Sequence, residues 1–241
     1  MNILILGYGK MGKIISQMAE ERGHRIVAKI NIENVADLDH LDTNKIDVAI
    51  EFSQPSSAVG NITWCMQHGV PVVVGTTGWM DDKDGVTNLC KQKDGALFYS
   101  SNFSIGVNIF FKVNAFLAKL MNDQEAYKAT LEEIHHTEKK DAPSGTAITL
   151  AEGLIDNNHR YTDWELQSDS NQPKERTLPI TSKRIDPAPG THIVSYKSEI
   201  DDITINHTAH NRKGFALGAV LVAEWLPGKK GVLSMNDFLD F

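Results

Sequence analysis

The chain has 241 residues, enough for one large domain or two smaller ones that each bury a core. Its formal net charge is −7, from 24 basic and 31 acidic side chains, which argues against a general nucleic-acid binder because phosphate neutralisation needs a basic face. The longest apolar runs, Ile3–Leu6 and Phe215–Leu226, are too short or too interrupted to span a bilayer, and the N-terminus lacks the basic region and cleavage site of a secretory signal, so no membrane partner is expected.

Up to about residue 100 the chain alternates strand and helix patterns. Asn2–Leu6, Arg25–Ile30, Asp47–Phe52, Val70–Val74 and Ala96–Tyr99 are rich in Val and Ile and mostly apolar on both faces, as a buried parallel sheet requires. Between them lie the helical stretches Lys10–Glu21, Pro55–His68, with its proline in the first turn, and Asp81–Lys93. This alternation predicts an α/β, Rossmann-type doubly wound parallel sheet with right-handed crossovers. Cys65 and Cys90 fall in predicted helices outside any metal-ligand spacing, which fits a reducing, cytoplasmic setting without disulfides.

After about residue 105 the character changes. Val107–Met121 reads as a helix, Ala126–His136 as a strand, Ser144–Asp156 as a second helix, and polar Asn157–Lys174 as loop. Leu178–Arg184, Thr191–Tyr196 and Ile203–Ala209 alternate in polarity and read as antiparallel strands. An apolar helix, Gly214–Leu226, is closed by Pro227-Gly228. The expected plan is a dinucleotide-binding domain of residues 1–104 and 213–241, interrupted by an α+β substrate-binding and oligomerisation domain, residues 105–212, with an open mixed sheet. A hinge is expected near residues 103–107 and 211–214.

Gly7-Tyr8-Gly9-Lys10-Met11-Gly12 follows the first strand and opens the first helix. Gly7 suits the tight turn, Gly9 the approach of a pyrophosphate, and Gly12 the packing of helix on strand. The helix terminus beyond offers free N–H groups and partial positive charge. At the end of the second strand, where an acidic residue normally meets the adenosine ribose, stands Asn31, followed by Ile32 and Glu33. Asn31 hydrogen-bonds a ribose hydroxyl without repelling a 2′-phosphate, so NADH and NADPH both stay open. Gly75-Thr76-Thr77-Gly78 and Ser100-Ser101-Asn102-Phe103 lie at the carboxyl edge of the same sheet, where such folds bind ligands. Each also reads as a plain strand-to-helix turn.

The densest polar cluster runs from Glu132 to Ala147. Ser144 is a good N-cap, which turns the N–H groups of Gly145 and Thr146 outward as a carboxylate site. Lys139 adds a cation on the loop leading in, and His135 or His136 supplies a proton near neutral pH. Reduction of a C=N or conjugated C=C bond places hydride on one atom and a proton on another, and this cluster answers for the proton. No metal is expected, because adjacent histidines on a strand point apart and no His-x-x-x-His spacing occurs. Ser144 has no nucleophile-elbow pattern around it, and a cap role accounts for it.

The sequence resembles the 4-hydroxy-tetrahydrodipicolinate reductase family, also called dihydrodipicolinate reductase. The resemblance rests on Glu133-Ile134-His135-His136 with Lys139 and Asp141-Ala142-Pro143-Ser144-Gly145-Thr146-Ala147. Gly7–Gly12, Glu51-Phe52-Ser53, Val74–Gly78 and Asn102–Asn108 follow the family order, and the likeness runs to about Trp225. It implies that His135 is the proton donor, Lys139 a second donor or charge stabiliser, and His136 a substrate ligand. Gly145 and Thr146 then hold a substrate carboxylate, while Gly7–Met11, Gly75–Thr77 and Ser100–Phe103 line the cofactor. It further implies hydride transfer from NADH or NADPH to a small cyclic dicarboxylate in lysine and diaminopimelate biosynthesis, by a homotetramer assembled through the sheet of the substrate domain. Two rivals are a nicotinamide oxidoreductase acting on an amino acid or sugar, and a non-catalytic dinucleotide sensor, whose proton-donor cluster would be degraded.

Overall fold

In the computed structural model, which describes residues 1–167 and 174–241, the chain divides into two units: Met1–Ile105 with Lys213–Phe241, and Gly106–Arg212. Among the described residues no helix is long and apolar enough to cross a membrane.

The first unit is built on six parallel strands. In chain order these are β1 (Asn2–Leu6), β2 (Arg25–Ile30), β3 (Val48–Glu51), β4 (Val72–Val74), β5 (Ala96–Tyr99) and β11 (Gly231–Leu233). Across the sheet they lie β11-β5-β4-β3-β1-β2, so the order reverses between β1 and β3. Period-two alternation divides β1, β3, β4 and β5 between two cores. Ile3, Ile5, Val48, Ile50, Val73 and Phe98 meet helices α1 (Lys10–Glu21) and α6 (Lys213–Trp225) on one face. Leu4, Leu6, Ala49, Val72, Val74 and Leu97 meet α2 (Pro55–Gln67) and α3 (Lys83–Gln92) on the other. The two-sided apolar strands of the sequence are thus two-sided in fact.

Helix α6 belongs to this unit by packing and by charge. The Glu224 carboxylate accepts from Arg22 Nε at 2.7 Å and Nη2 at 2.8 Å, and lies 2.7 Å from His24 Nε2. Beyond it, β11 pairs parallel with β5 and is followed by α7 (Met235–Leu239), two elements that sequence patterning did not anticipate.

The second unit holds α4 (Ile105–Leu120), β6 (Lys128–His135), α5 (Gly145–Ile155), β7 (Asp163–Leu166), β8 (Thr177–Arg184), β9 (Gly190–Lys197) and β10 (Asp202–Ala209). Its sheet is mixed, in the order β10-β9-β6-β8-β7. The strands expected to be antiparallel are so only in part. β9 runs antiparallel to β6 and β10, whereas β8 pairs parallel with both β6 and β7. Part of the polar stretch 157–174 is therefore strand rather than loop, and its residues 168–173 lie outside the described residues. Trp164 supplies the reason: it packs against the core of this unit.

Candidate active site

Strand β6 buries every second residue: Ala129, Leu131, Glu133 and His135. The first two join Leu178, Ile180, Val194 and Tyr196 in an apolar core beneath α5. Toward the end of the strand the same covered face turns polar. Register completes the group, since Glu133 lies opposite His192 of β9 on one side and Ser182 of β8 on the other, while His135 lies opposite Arg184. Residues paired this way share a face of the sheet, so one buried surface gathers a carboxylate, two imidazoles, a hydroxyl and a guanidinium.

Glu133 is 0% exposed. Its Oε1 accepts from Ser182 Oγ at 2.8 Å and from Arg184 Nη1 and Nη2 at 3.4 Å each. Its Oε2 accepts from the Ser144 amide at 3.1 Å, and faces His135 Nδ1 at 3.4 Å and His192 Nε2 at 3.7 Å. Burial alone would raise this carboxyl, but the hydrogens aimed at it by His192, Ser144 and Ser182 hold it well below the usual carboxylate range. His135 is pushed the other way. Burial depresses its imidazole to about 4, an effect that Glu133 opposes and that His192, Lys139 and Arg184 reinforce. The ring is therefore neutral near neutral pH in the free protein.

The cap on α5 forms as expected: the Ser144 side chain accepts from the Ala147 amide at 3.2 Å. Its hydroxyl also shares a 3.1 Å hydrogen bond with His192 Nε2, so the cap and the histidine pair are one network. Gly145 is exposed and Thr146 half-buried at the helix tip. A Cβ built on Gly145 would meet nothing within 4 Å, which means that packing in the free protein does not demand glycine there.

The connection between β6 and α5 is pinned from β8. Arg184 Nε donates to the Lys139 carbonyl at 3.2 Å and Nη2 to the Asp141 carbonyl at 2.6 Å, while Asp186 accepts from the amide and hydroxyl of Thr137. Lys139 Nζ is held by both Asp141 oxygens at 2.8 Å. His136, one residue past the end of β6, is half-buried and leaves the covered face that His135 occupies, as the alternation of strand faces requires.

Sequence reading missed His192, Ser182, Arg184 and Asp186. A signal existed for one of them. His192 is in phase with the core residues Val194 and Tyr196, and a polar residue on an apolar phase marks a buried network. The ligand atoms of Glu133, His135 and His192 lie within 4.8 Å of one another, the spread of a three-ligand metal site. The expectation of no metal weighed the adjacent histidines with Glu132, Glu133 and Asp141, and did not include His192. Arg184 beside the carboxylate adds a fixed positive charge that competes with a cation.

In the first unit, Gly7 adopts φ +96° after β1, and a Cβ there would stand 2.2 Å from the Phe52 carbonyl. A Cβ on Gly12 would lie 2.0 Å from the Gly7 carbonyl, whereas one on Gly9 would meet nothing within 4 Å. Gly7 and Gly12 are thus required by the turn itself, and Gly9 opens space at the N-terminus of α1. Tyr8 and Met11 rest partly on the core beneath, and Lys10 is exposed. The turn lies between β1 and β3, the switch point of the sheet, where doubly wound folds take their ligands.

The neighbouring loops are tied together. The Ser53 amide donates to Thr76 Oγ1 at 2.8 Å, and a Cβ on Gly75 would collide with the Phe52 ring. Thr77 and Ser101 are exposed; Ser100 Oγ donates to the Asn102 carbonyl at 2.7 Å. Phe103 is a core residue, 5.4 Å from Phe52 between ring centroids, and its carbonyl packs against Gly218 of α6. Asn31 accepts the Glu33 amide on Oδ1 at 2.7 Å, which leaves its side-chain NH2 as a donor.

Family models described as dihydrodipicolinate reductase, N-terminus and C-terminus, match residues 1–103 and 106–239. The chain is 48% identical to a 4-hydroxy-tetrahydrodipicolinate reductase of Christiangramia forsetii, over 99% of this chain and 98% of that one. It is 31% identical to the enzyme of the same name from Methanosarcina barkeri, with the same coverage. Among solved structures, the dipicolinate-bound dihydrodipicolinate reductase of Paenisporosarcina sp. TG-14 superposes with a TM-score of 0.81 at 21% identity, covering 99% and 98% of the two chains. An amine dehydrogenase of Mycobacterium smegmatis follows at a TM-score of 0.57 and 11% identity, over 98% and 95%, a likeness of fold alone.

Proposed function

The chain belongs to the dihydrodipicolinate reductase family, and from that premise we propose that it reduces 4-hydroxy-tetrahydrodipicolinate, by way of dihydrodipicolinate, to tetrahydrodipicolinate in diaminopimelate and lysine biosynthesis. The observation that carries this reading is the meeting, at the end of β6, of His135, a buried carboxylate and the capped tip of α5.

The residues after β1 fit a dinucleotide. Gly9 leaves room where a side chain would stand, and the first amides of α1 have no partner within the helix. Gly7, Tyr8, Gly9, Lys10, Met11 and Gly12 would hold the pyrophosphate, Gly75–Thr77 and Ser100–Phe103 the nicotinamide end, and Asn31 the adenosine ribose. When bound, NADH or NADPH supplies hydride to one atom of the reducible double bond. The NH2 group of Asn31 tolerates either cofactor, since it neither repels a 2′-phosphate nor supplies a positive charge to favour one.

The protein's remaining task is to hold a dianion and deliver a proton. The amides of Gly145 and Thr146, with the Thr146 hydroxyl, receive one carboxylate at the tip of α5. His136 and Lys139 answer the substrate's other polar groups, and Lys139 must exchange part of its contact with Asp141 to do so. His135 donates the proton. Its imidazole is neutral in the free protein, and a dianion placed beside it favours the charged form, so the ring takes up its proton as substrate binds. A cytoplasmic homotetramer is part of the same reading. The two buried free cysteines and the half-exposed outward residues Thr130, Glu132 and Ile134 of β6 support it, and the net charge of −7 favours neither nucleic acid nor an anionic membrane surface as partner.

Oxidation of NADH and of NADPH, followed separately with freshly condensed pyruvate and aspartate semialdehyde, tests the reading. Consumption of nicotinamide that requires both carbon substrates is expected. No consumption with either cofactor, or equal activity on unrelated amino acids and sugars, would overturn it.

A further inference from the structure

Glu133 takes no direct part in the chemistry described above, yet it is the fully buried carboxylate of the second unit among the described residues. A buried charge is costly unless it is paired. Here Ser182 and Arg184 engage Oε1, and the Ser144 amide and His192 engage Oε2, so the pairing is already supplied without His135. Oε2 nevertheless lies 3.4 Å from Nδ1 of His135. That nitrogen is buried and has no hydrogen-bond partner among the described residues. The two atoms are within ion-pair reach but not aligned, and a small rotation of the ring brings Nδ1–H onto the carboxylate. On the far side of the ring, a Cβ built on Gly190 would stand 3.2 Å from Nε2, so glycine at that position keeps the outer nitrogen uncrowded.

We propose that Glu133 is the positioning residue of the proton donor: it fixes the proton of His135 on Nδ1 and makes Nε2 the nitrogen that gives a proton to the substrate. In the transfer, the Nε2–H bond of the imidazolium breaks and its electron pair returns to the ring. A new bond to hydrogen forms on the substrate atom that complements the site of hydride addition. Nδ1 keeps its proton toward Glu133, whose charge stays −1, and water restores the Nε2 proton afterwards. Ser182 and Arg184 gain a purpose in this scheme. By holding the carboxylate ionised they prevent it from taking the Nδ1 proton for itself. The groups facing the ring are Glu133 on its own strand, His192 from β9, Arg184 from β8 and Lys139 from the following loop; of these, Glu133 alone favours the charged imidazole.

The proposal rests on His135 as donor, and the experiment separates the two. Glu133→Gln keeps size and shape but removes the charge. In the wild type, kcat should fall as pH rises through the ionisation of His135 in the substrate complex. In Glu133→Gln that fall should move to lower pH by about one unit, and kcat at neutral pH should drop at least about tenfold, with KM within roughly threefold of wild type. A folded Glu133→Gln whose fall in kcat stays at the wild-type pH overturns the proposal while leaving the reductase reading intact. An inactive wild type overturns the reading itself. Should Glu133→Gln fail to fold, ring-nitrogen NMR of ligand-free wild-type protein near pH 7, where the neutral ring carries a single proton, gives the same decision. A proton on Nδ1 supports the proposal, and an unprotonated Nδ1 overturns it. Wild-type turnover abolished by a chelator and restored by a divalent cation would make Glu133 a metal ligand and overturn it as well.

Discussion

Gly145 shows how one residue separates fold from function. Glycine is weakly suited to a helix, and nothing near residue 145 requires it for packing. An added methyl would instead occupy the space in front of the α5 amides, where a carboxylate is proposed to sit. Gly145→Ala should therefore melt at or slightly above the wild-type temperature while KM for the dicarboxylate rises at least about tenfold; steady-state kinetics beside a thermal melt checks both. The contrast with Gly7 and Gly12 is instructive, because there a Cβ would strike backbone and the fold itself needs glycine. The G-x-G-x-x-G spacing already sets Gly7 and Gly12 apart from Gly9, and the space around each Cβ position agrees with that division.

At the scale of elements, short-range patterns located most strands and helices, because burial in this fold follows period two and period 3.6 closely. Helix α1, Lys10–Glu21, was legible to the residue from its glycine-led start and apolar stripe. Partnership between distant strands was not. Nothing in Leu178–Arg184 states that it runs parallel to β6, yet that pairing sets Ser182 beside Glu133 and Arg184 beside His135. Likewise His192 is separated from Glu133 by a long stretch of chain and reaches it only through antiparallel register. The proposed donor on β6 and the proposed carboxylate site on α5 were therefore readable from their own segment, and the network behind them was not.

The return of α6 to the first unit depends on a close approach that can be tested directly. A Cβ on Gly218 would lie 1.7 Å from the Phe103 carbonyl, so Gly218→Ala forces the helix away from the end of β5 and its loop. The expected cost is about 3 kcal/mol, a drop in Tm on the order of 10 °C. An unchanged melting temperature would show that α6 docks differently.

For the whole molecule, the buried network makes stability depend on pH in a definite direction. His135 is depressed from 6.5 to about 4 in the folded state, so between those values the unfolded chain binds the extra proton and acid favours unfolding. Burial lowers His207 as well, which adds in the same direction. Glu133, held low when folded, contributes stability that is present above the ordinary carboxylate range and lost as pH falls below it. The ligand-free protein should thus keep a level Tm above about pH 7 and lose stability as pH falls from 6.5 toward 4, more steeply than His135→Gln does. A Tm that rises on acidification through that window would contradict the burial of a neutral His135. A bound dianion should oppose the loss, because it favours the protonated ring that the free protein disfavours.

His135 as the proton donor of a nicotinamide-dependent reduction is tested most directly by single-turnover kinetics of His135→Gln beside a cofactor titration. Hydride transfer to the dicarboxylate should slow by about a hundredfold or more, with the cofactor Kd essentially that of wild type. A variant that reduces substrate at the wild-type rate, or one that loses cofactor affinity in equal measure, would contradict the account.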